Sequence, residues 1–157
     1  MNFRTILSTA VFIGLSLLAG AIGSIFTFDQ IPTWYARLIK PSWTPPSFVF
    51  GPVWTTLYVL MGSAAALVWN SKKFGRVFPT WLFIAHLIVN ALWSIVFFGL
   101  HEVGLALYII LTLAVVIMVM MVIFARYSKL AAWLLLPYLL WVLYASTLNA
   151  GIFFLNL

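Results

Sequence analysis

The sequence predicts an all-α integral membrane protein, a bundle of five transmembrane helices with a Pro/Trp-rich loop between the first two. Three observations carry that prediction. The 157 residues are 66% hydrophobic and only 6% charged, with a mean hydropathy of +1.18. Soluble domains run near about 45–50% apolar and about 25% charged, so a water-soluble fold has no way to hide this much apolar surface. Five apolar runs each approach the roughly 20 residues that cross a bilayer. One interruption, between the first and second runs, differs in composition from every other connection.

The runs are Ile6–Phe26, Phe48–Trp69, Pro79–Leu100, Gly104–Phe124 and Leu130–Leu155. Hydrocarbon offers the backbone no partners, so each run must satisfy its own N–H and C=O groups as a helix. The first run follows Arg4 and ends near AGAIGS, the outline of a secretory signal peptide. Its length and weak cleavage pattern favour a retained first helix. Small residues at Ser16, Ala19, Gly20, Gly23 and Ser24 give that helix a smooth face for close packing. The later connections SKKFGRV, HEV and RYSK are short and force antiparallel neighbours, hence a single domain over residues 1–157.

The stretch Pro32–Trp54, PTWYARLIKPSWTPPSFVFGPVW, holds Pro32, Pro41, Pro45, Pro46 and Pro52 with Trp34, Trp43 and Trp54. Proline fixes φ and removes a donor, so no continuous helix runs through it. A short helix over Thr33–Ile39 followed by a stiff turn at Lys40–Pro46 is expected. Composition leaves two roles open, a lid over one end of the bundle or an interfacial anchor.

Charge sets the expected topology. Arg4, Lys72, Lys73, Arg76, Arg126 and Lys129 fall on one side, and only Arg37 and Lys40 on the other. The positive-inside rule then places the N-terminus in the cytoplasm and the Pro/Trp loop outside, in a bacterial cell membrane. The net charge of +6 is scattered in loops rather than gathered into a stripe, which argues against nucleic acid and fits lipid headgroups. With no cysteine, disulfides and thiolate chemistry are excluded.

Candidate chemistry begins with what the spans lack. Asp29 and Glu102 both lie in loops, leaving no carboxylate at membrane depth for proton coupling or acid–base catalysis. His86 and His101 are too few and too far apart for a metal site. His86 reads most simply as a neutral histidine bonded to a backbone carbonyl or facing the headgroups. Asn90 and Asn149 are amides in apolar helices and must find partners. Asn90 shares a helix face with His86, Trp93 and Phe97; Trp54 and Tyr58 stand at i, i+4, as do Pro137, Trp141, Ala145 and Asn149. Spacing alone leaves both an aromatic ligand cavity and plain aromatic packing open. Trp69, Trp81, Tyr127 and Trp133 read as interfacial belt residues, and Pro137 is expected to kink the fifth helix.

The segments WYARLIKPSWTPPSFVFGPVWTTLY (34–58), NALWSIVFFG (90–99) and PYLLWVLYASTLN (137–149) resemble the tryptophan-rich sensory protein/translocator protein family, also called the peripheral benzodiazepine receptor family. The resemblance covers essentially the whole chain. It implies a five-helix bundle, usually a homodimer, that binds protoporphyrin IX, haem and other hydrophobic small molecules beneath the first loop. Carried over by motif, the ligand-binding residues are Tyr35, Pro45, Trp54, Tyr58, Asn90, Trp93, Phe97, Trp141 and Ala145. Bacterial members are associated with light-dependent breakdown of protoporphyrin, which would give Trp54 and Trp141 an oxidisable, catalytic role. No obligatory cofactor or metal is implied. The stretch TLNAGIFFLNL lacks the tyrosine and basic residue of the weak sterol motif credited to animal members. Transport of tetrapyrroles or lipids is the alternative function. With a cavity to cover, the loop is expected to act as a lid, Trp34 keeping any anchoring role.

Overall fold

A computed structural model describes residues 3–157. The described residues form helices and connecting turns, with no strand among them. Helix α1 spans Phe3–Thr27, the short α2 Trp34–Arg37, α3 Phe50–Trp69, α4 Val77–Ser94 and α5 Val103–Ala125. The last span is split into α6, Lys129–Leu134, and α7, Leu136–Leu155. Five helical stretches are long and apolar enough to cross a membrane, within a few residues of the expected runs. This is an integral, multi-pass membrane protein.

Three prolines explain where helices begin. Pro52, Pro79 and Pro137 each fall in the first turn of α3, α4 and α7, where a missing N–H removes no intrahelical bond. Pro137 also produces the expected break. It cannot donate to the carbonyl of Trp133, and Leu135 N–H turns instead to Ala132 O at 3.1 Å. Ser128 caps α6 by accepting from the Ala131 N–H at 3.3 Å.

α1 packs between α3 and α4, and α5 packs between α4 and α7. The ring closes where α6 meets α3; beyond the break, α7 and α3 barely touch. Small residues set the tight seams. A Cβ on Gly62 of α3 would lie 2.6 Å from the Ile13 Cα of α1, so only glycine allows that approach. Ser16, Ala19 and Gly23 form the packed side of α1. Met61, Phe83, Ile117, Met120, Tyr138 and Val142 fill the centre with no accessible surface.

One feature had no warning in the sequence. After Ser94 the helix widens into a π-turn over Ile95–Gly99, with Leu100 N–H bonded to Ile95 O at 2.9 Å. The wider turn lets the consecutive residues Val96, Phe97 and Phe98 all become buried. His101 then ends the segment in the left-handed region, at φ 60°.

Opposite the loop end, Arg76 donates to Trp69 O at 2.6 Å, and Lys73 bonds Arg126 O. Trp81 and Trp133 are two-thirds exposed, at 67% and 66%, as belt residues require.

Candidate functional site

A cavity of about 550 Å³ lies at the loop end, among α1, α3, α4, the π-turn and α7, under α2. Its aromatic wall follows from helical spacing. Trp54 and Tyr58, one turn apart on α3, stack at 5.7 Å and 29°. Trp93 of α4 stacks on Trp54 at 6.4 Å and 28°, and Phe97 continues the surface 5.4 Å from Trp93. Ala145 and Asn149 of α7 and Tyr35 of α2 complete it. The result is a wall of successive tilted aromatic rings with few polar points.

Those polar points are held from behind. Trp93 Nε1–H donates to Asn149 Oδ1 at 3.1 Å, and Asn149 Nδ2 donates to Val103 O at 2.9 Å. Tyr58 OH donates to Asn90 Oδ1 at 2.8 Å, and Asn90 Nδ2 donates to the Tyr138 hydroxyl at 3.0 Å. Tyr138 meets His86 Nε2 at 3.2 Å, and His86 Nδ1 meets Phe83 O at 2.9 Å. His86 therefore has its backbone carbonyl, but deep in the bundle at 0% exposure rather than at the headgroups.

The hydrogen bonds from the Pro/Trp loop to the bundle run to α7 and to Asn156 just past its end. Asn156 grips the Ile39 backbone twice, donating to its carbonyl at 2.9 Å and accepting from its N–H at 3.0 Å. Tyr144 OH donates to Trp43 O at 2.7 Å, and Trp43 Nε1–H reaches Thr147 Oγ1 at 3.3 Å. Pro41 packs so closely on α7 that a Cβ on Gly151 would fall 2.3 Å from its Cγ. Lys40 Nζ donates to the carbonyls of Tyr35 at 2.8 Å and Leu38 at 3.0 Å, closing the short helix. Its ammonium lies 4.9 Å from the Tyr35 ring centre. Burial first, and then Tyr144, push the Tyr35 phenol above the ordinary tyrosine value, so that hydroxyl stays protonated. Trp34 stacks on His101 at 4.1 Å and meets Phe97 edge-on at 5.7 Å. It is part of the roof packing.

Six of the motif-derived residues therefore line one cavity: Tyr35, Trp54, Tyr58, Trp93, Phe97 and Ala145. Asn90 stands behind Tyr58. Pro45 is half-buried in the loop and Trp141 faces elsewhere; neither is on the cavity wall. Trp141 lines a separate cleft between α3 and α7, beside Pro52, Thr56 and Tyr144, with Phe50 5.9 Å away. Its Nε1–H is buried without an acceptor among the described residues. The reason is geometric. Each i, i+4 step advances the helix by one turn plus about 40°, so the stripe Pro137–Trp141–Ala145–Asn149 winds from the cleft to the cavity instead of staying on one face.

The α1 wall was not legible as such. Gly20 and Ser24, expected in a packing face, border the cavity, and a Cβ on Gly20 would fall 2.3 Å from the Tyr58 ring. The small residues were the only signal for it. Tyr138, the hub of the polar chain, carried none.

The family model for the TspO/MBR family matches residues 12–155. This chain belongs to the TspO/MBR family. It is 43% identical to the tryptophan-rich protein TspO of Chlorobaculum tepidum over 98% of both chains. Identity to the tryptophan-rich protein TspO of Archaeoglobus fulgidus is 42%, over 90% of this chain and 93% of the other. The human translocator protein is 41% identical, over 82% of this chain and 78% of its own length. The TspO/MBR relatives of this chain thus include bacterial, archaeal and animal proteins.

Proposed function

We propose that this TspO/MBR protein is a membrane receptor for flat hydrophobic tetrapyrroles, protoporphyrin IX above all, held in the cavity under the first loop. The observation that carries the reading is the stacked pair Trp54 and Trp93, extended by Tyr58 and roofed by Tyr35. Such a surface favours a planar aromatic partner, and its volume lies within the roughly 300–1,000 Å³ of small-molecule pockets. Haem is a less complete fit. Both nitrogens of His86 are engaged, and His101 lies off the cavity wall, stacked on Trp34 with Nε2 paired to Gln30, so neither imidazole is placed to ligate iron in the cavity.

A regulatory or protective role in tetrapyrrole metabolism follows, with light-dependent breakdown as its chemical form. Light absorbed by a bound porphyrin in the presence of oxygen yields reactive oxygen species, and Trp54, with Trp93 stacked on it, is placed to be oxidised beside it. Trp141 takes part only if a bound ligand draws it in from its cleft. The protein acts in a bacterial cell membrane, N-terminus inside, as a homodimer.

Titrating protoporphyrin IX into purified protein is expected to give saturable tryptophan quenching and a shifted Soret band. Trp54→Phe weakens both by about tenfold, the loss of one stacked aromatic partner, whereas Trp141→Phe changes binding less than threefold. Quenching that does not saturate, or that is unchanged in Trp54→Phe, sinks the reading. Under illumination, bleaching no faster with wild type than with Trp54→Phe sinks the breakdown role alone.

A further inference from the structure

The chain of polar groups behind the cavity has a direction, and the direction is set at its buried end. Phe83 O only accepts, so His86 Nδ1, 2.9 Å away, must carry a proton. The two acidic residues, Asp29 and Glu102, are both exposed in loops, so no carboxylate lies at depth to balance an imidazolium. His86 is thus neutral, with a bare Nε2 that accepts from Tyr138 OH at 3.2 Å. Having donated there, the Tyr138 oxygen accepts from Asn90 Nδ2 at 3.0 Å. That orientation leaves Asn90 Oδ1 to accept from Tyr58 OH at 2.8 Å. One backbone carbonyl therefore orders the protons of four side chains.

We infer that His86 and Tyr138 are positioning residues that make Tyr58 a hydrogen-bond acceptor toward the cavity, so that at this point of the wall a ligand O–H or N–H donor is favoured over an acceptor. Tyr58 lines the cavity, its only proton is committed inward, and its hydroxyl has no second partner among the described residues. A ligand donor can pair with the remaining lone pair. A ligand acceptor at the same place faces another acceptor and is left unsatisfied in an apolar surrounding. The inference rests on the cavity being a ligand site and adds which polar group the ligand presents to Tyr58.

The test compares 2-naphthol with 2-methoxynaphthalene, flat probes that differ in one donor, by tryptophan quenching in lipid nanodiscs corrected against empty discs. The wild type is expected to prefer the naphthol on the order of tenfold, the penalty of one unpaired buried polar group. Tyr58→Phe abolishes the preference. His86→Leu also abolishes it while leaving Tyr58 in place, because the chain is then free to reverse. His86→Gln, which can accept from Tyr138 and donate to Phe83 O, restores it. If His86→Leu does not fold, Tyr138→Phe severs the same link. Nitrogen-15 NMR of the imidazoles, with His101→Gln separating the two histidines, is expected to find Nδ1 protonated and Nε2 bare at His86. Equal binding of the two probes, no binding of either, a preference that survives both His86→Leu and Tyr138→Phe, or a proton on Nε2 overturns the inference. Failure of protoporphyrin to bind while the naphthol preference stands overturns the tetrapyrrole reading only.

Discussion

Asn90 and Asn149 show how strongly a membrane interior constrains single residues. Each amide uses both its oxygen and its nitrogen, across helix boundaries, on Tyr58 and Tyr138 or on Trp93 and Val103. Asn90→Leu strands the Tyr58 hydroxyl and leaves Tyr138 with His86 alone, so a loss of about 1–3 kcal/mol is expected in thermal unfolding in detergent. Tyr35→Phe, by contrast, removes a hydroxyl with no hydrogen-bond partner among the described residues. The Tyr35 phenol also gives a pH signature. Its pKa is raised above 10.0 by burial and then by Tyr144, so the folded state favours the protonated form. Its contribution is complete below pH 10 and falls as pH rises through the folded value. In the phenolate absorbance at 295 nm, Tyr35 is expected to titrate later than a free tyrosine, in a step that Tyr35→Phe removes. The sequence made the asparagines conspicuous, but their partners were out of reach, because Tyr138 and Val103 lie on other spans.

Elements repeat the pattern on a larger scale. All five spans were legible, since length and hydropathy suffice when the solvent forbids every alternative to a helix. The split of the last span was legible too, from Pro137. The π-turn was not: Phe97 and Phe98 are unremarkable in an apolar helix, and only their joint burial against Trp34 and Tyr35 gives the extra residue a purpose. Gly62 and Gly151 mark two seams whose tightness can be tested separately. Gly62→Ala drives a methyl into the Ile13 backbone, and a loss of about 1–3 kcal/mol is expected. Gly151→Ala displaces Pro41. It is expected to leave helicity by circular dichroism unchanged while hydrogen exchange quickens over residues 38–46. Unchanged exchange there would mean the loop does not depend on that seat.

At the scale of the whole molecule, the first loop and α7 form one unit, joined through Asn156, Tyr144, Thr147 and Gly151. α1 and the loop end of α3 form the opposite side of the cavity, with Phe28 and Phe48 exposed on its rim at 79% and 78%. The absence of cysteine makes the proposed orientation directly testable. A single cysteine at Ser47 is expected to react with a membrane-impermeant maleimide in intact cells, and one at Lys72 only after the membrane is opened. The reverse pattern would invert the topology.

By itself the sequence determined a five-span helical membrane protein, its family, the residues that stack at one end, and the polar groups that must find partners inside. These depend on composition, on period and on local chemistry, which the chain carries in order. Tertiary structure decided the rest: that α1 is a cavity wall, that Trp141 looks into a cleft while Ala145 one turn later looks into the cavity, and that a buried carbonyl at Phe83 governs a hydroxyl on another helix. The physical reason is the same in each case. A helix turns about 100° per residue, so which neighbour a side chain meets depends on where the next helix crosses, and that is fixed by seams such as Gly62 on Ile13 and breaks such as Pro137. The Pro/Trp loop takes its place for that reason as well: its stiffness is written in its prolines, but its seat is a groove on α7 made by Gly151, more than a hundred residues away in the sequence.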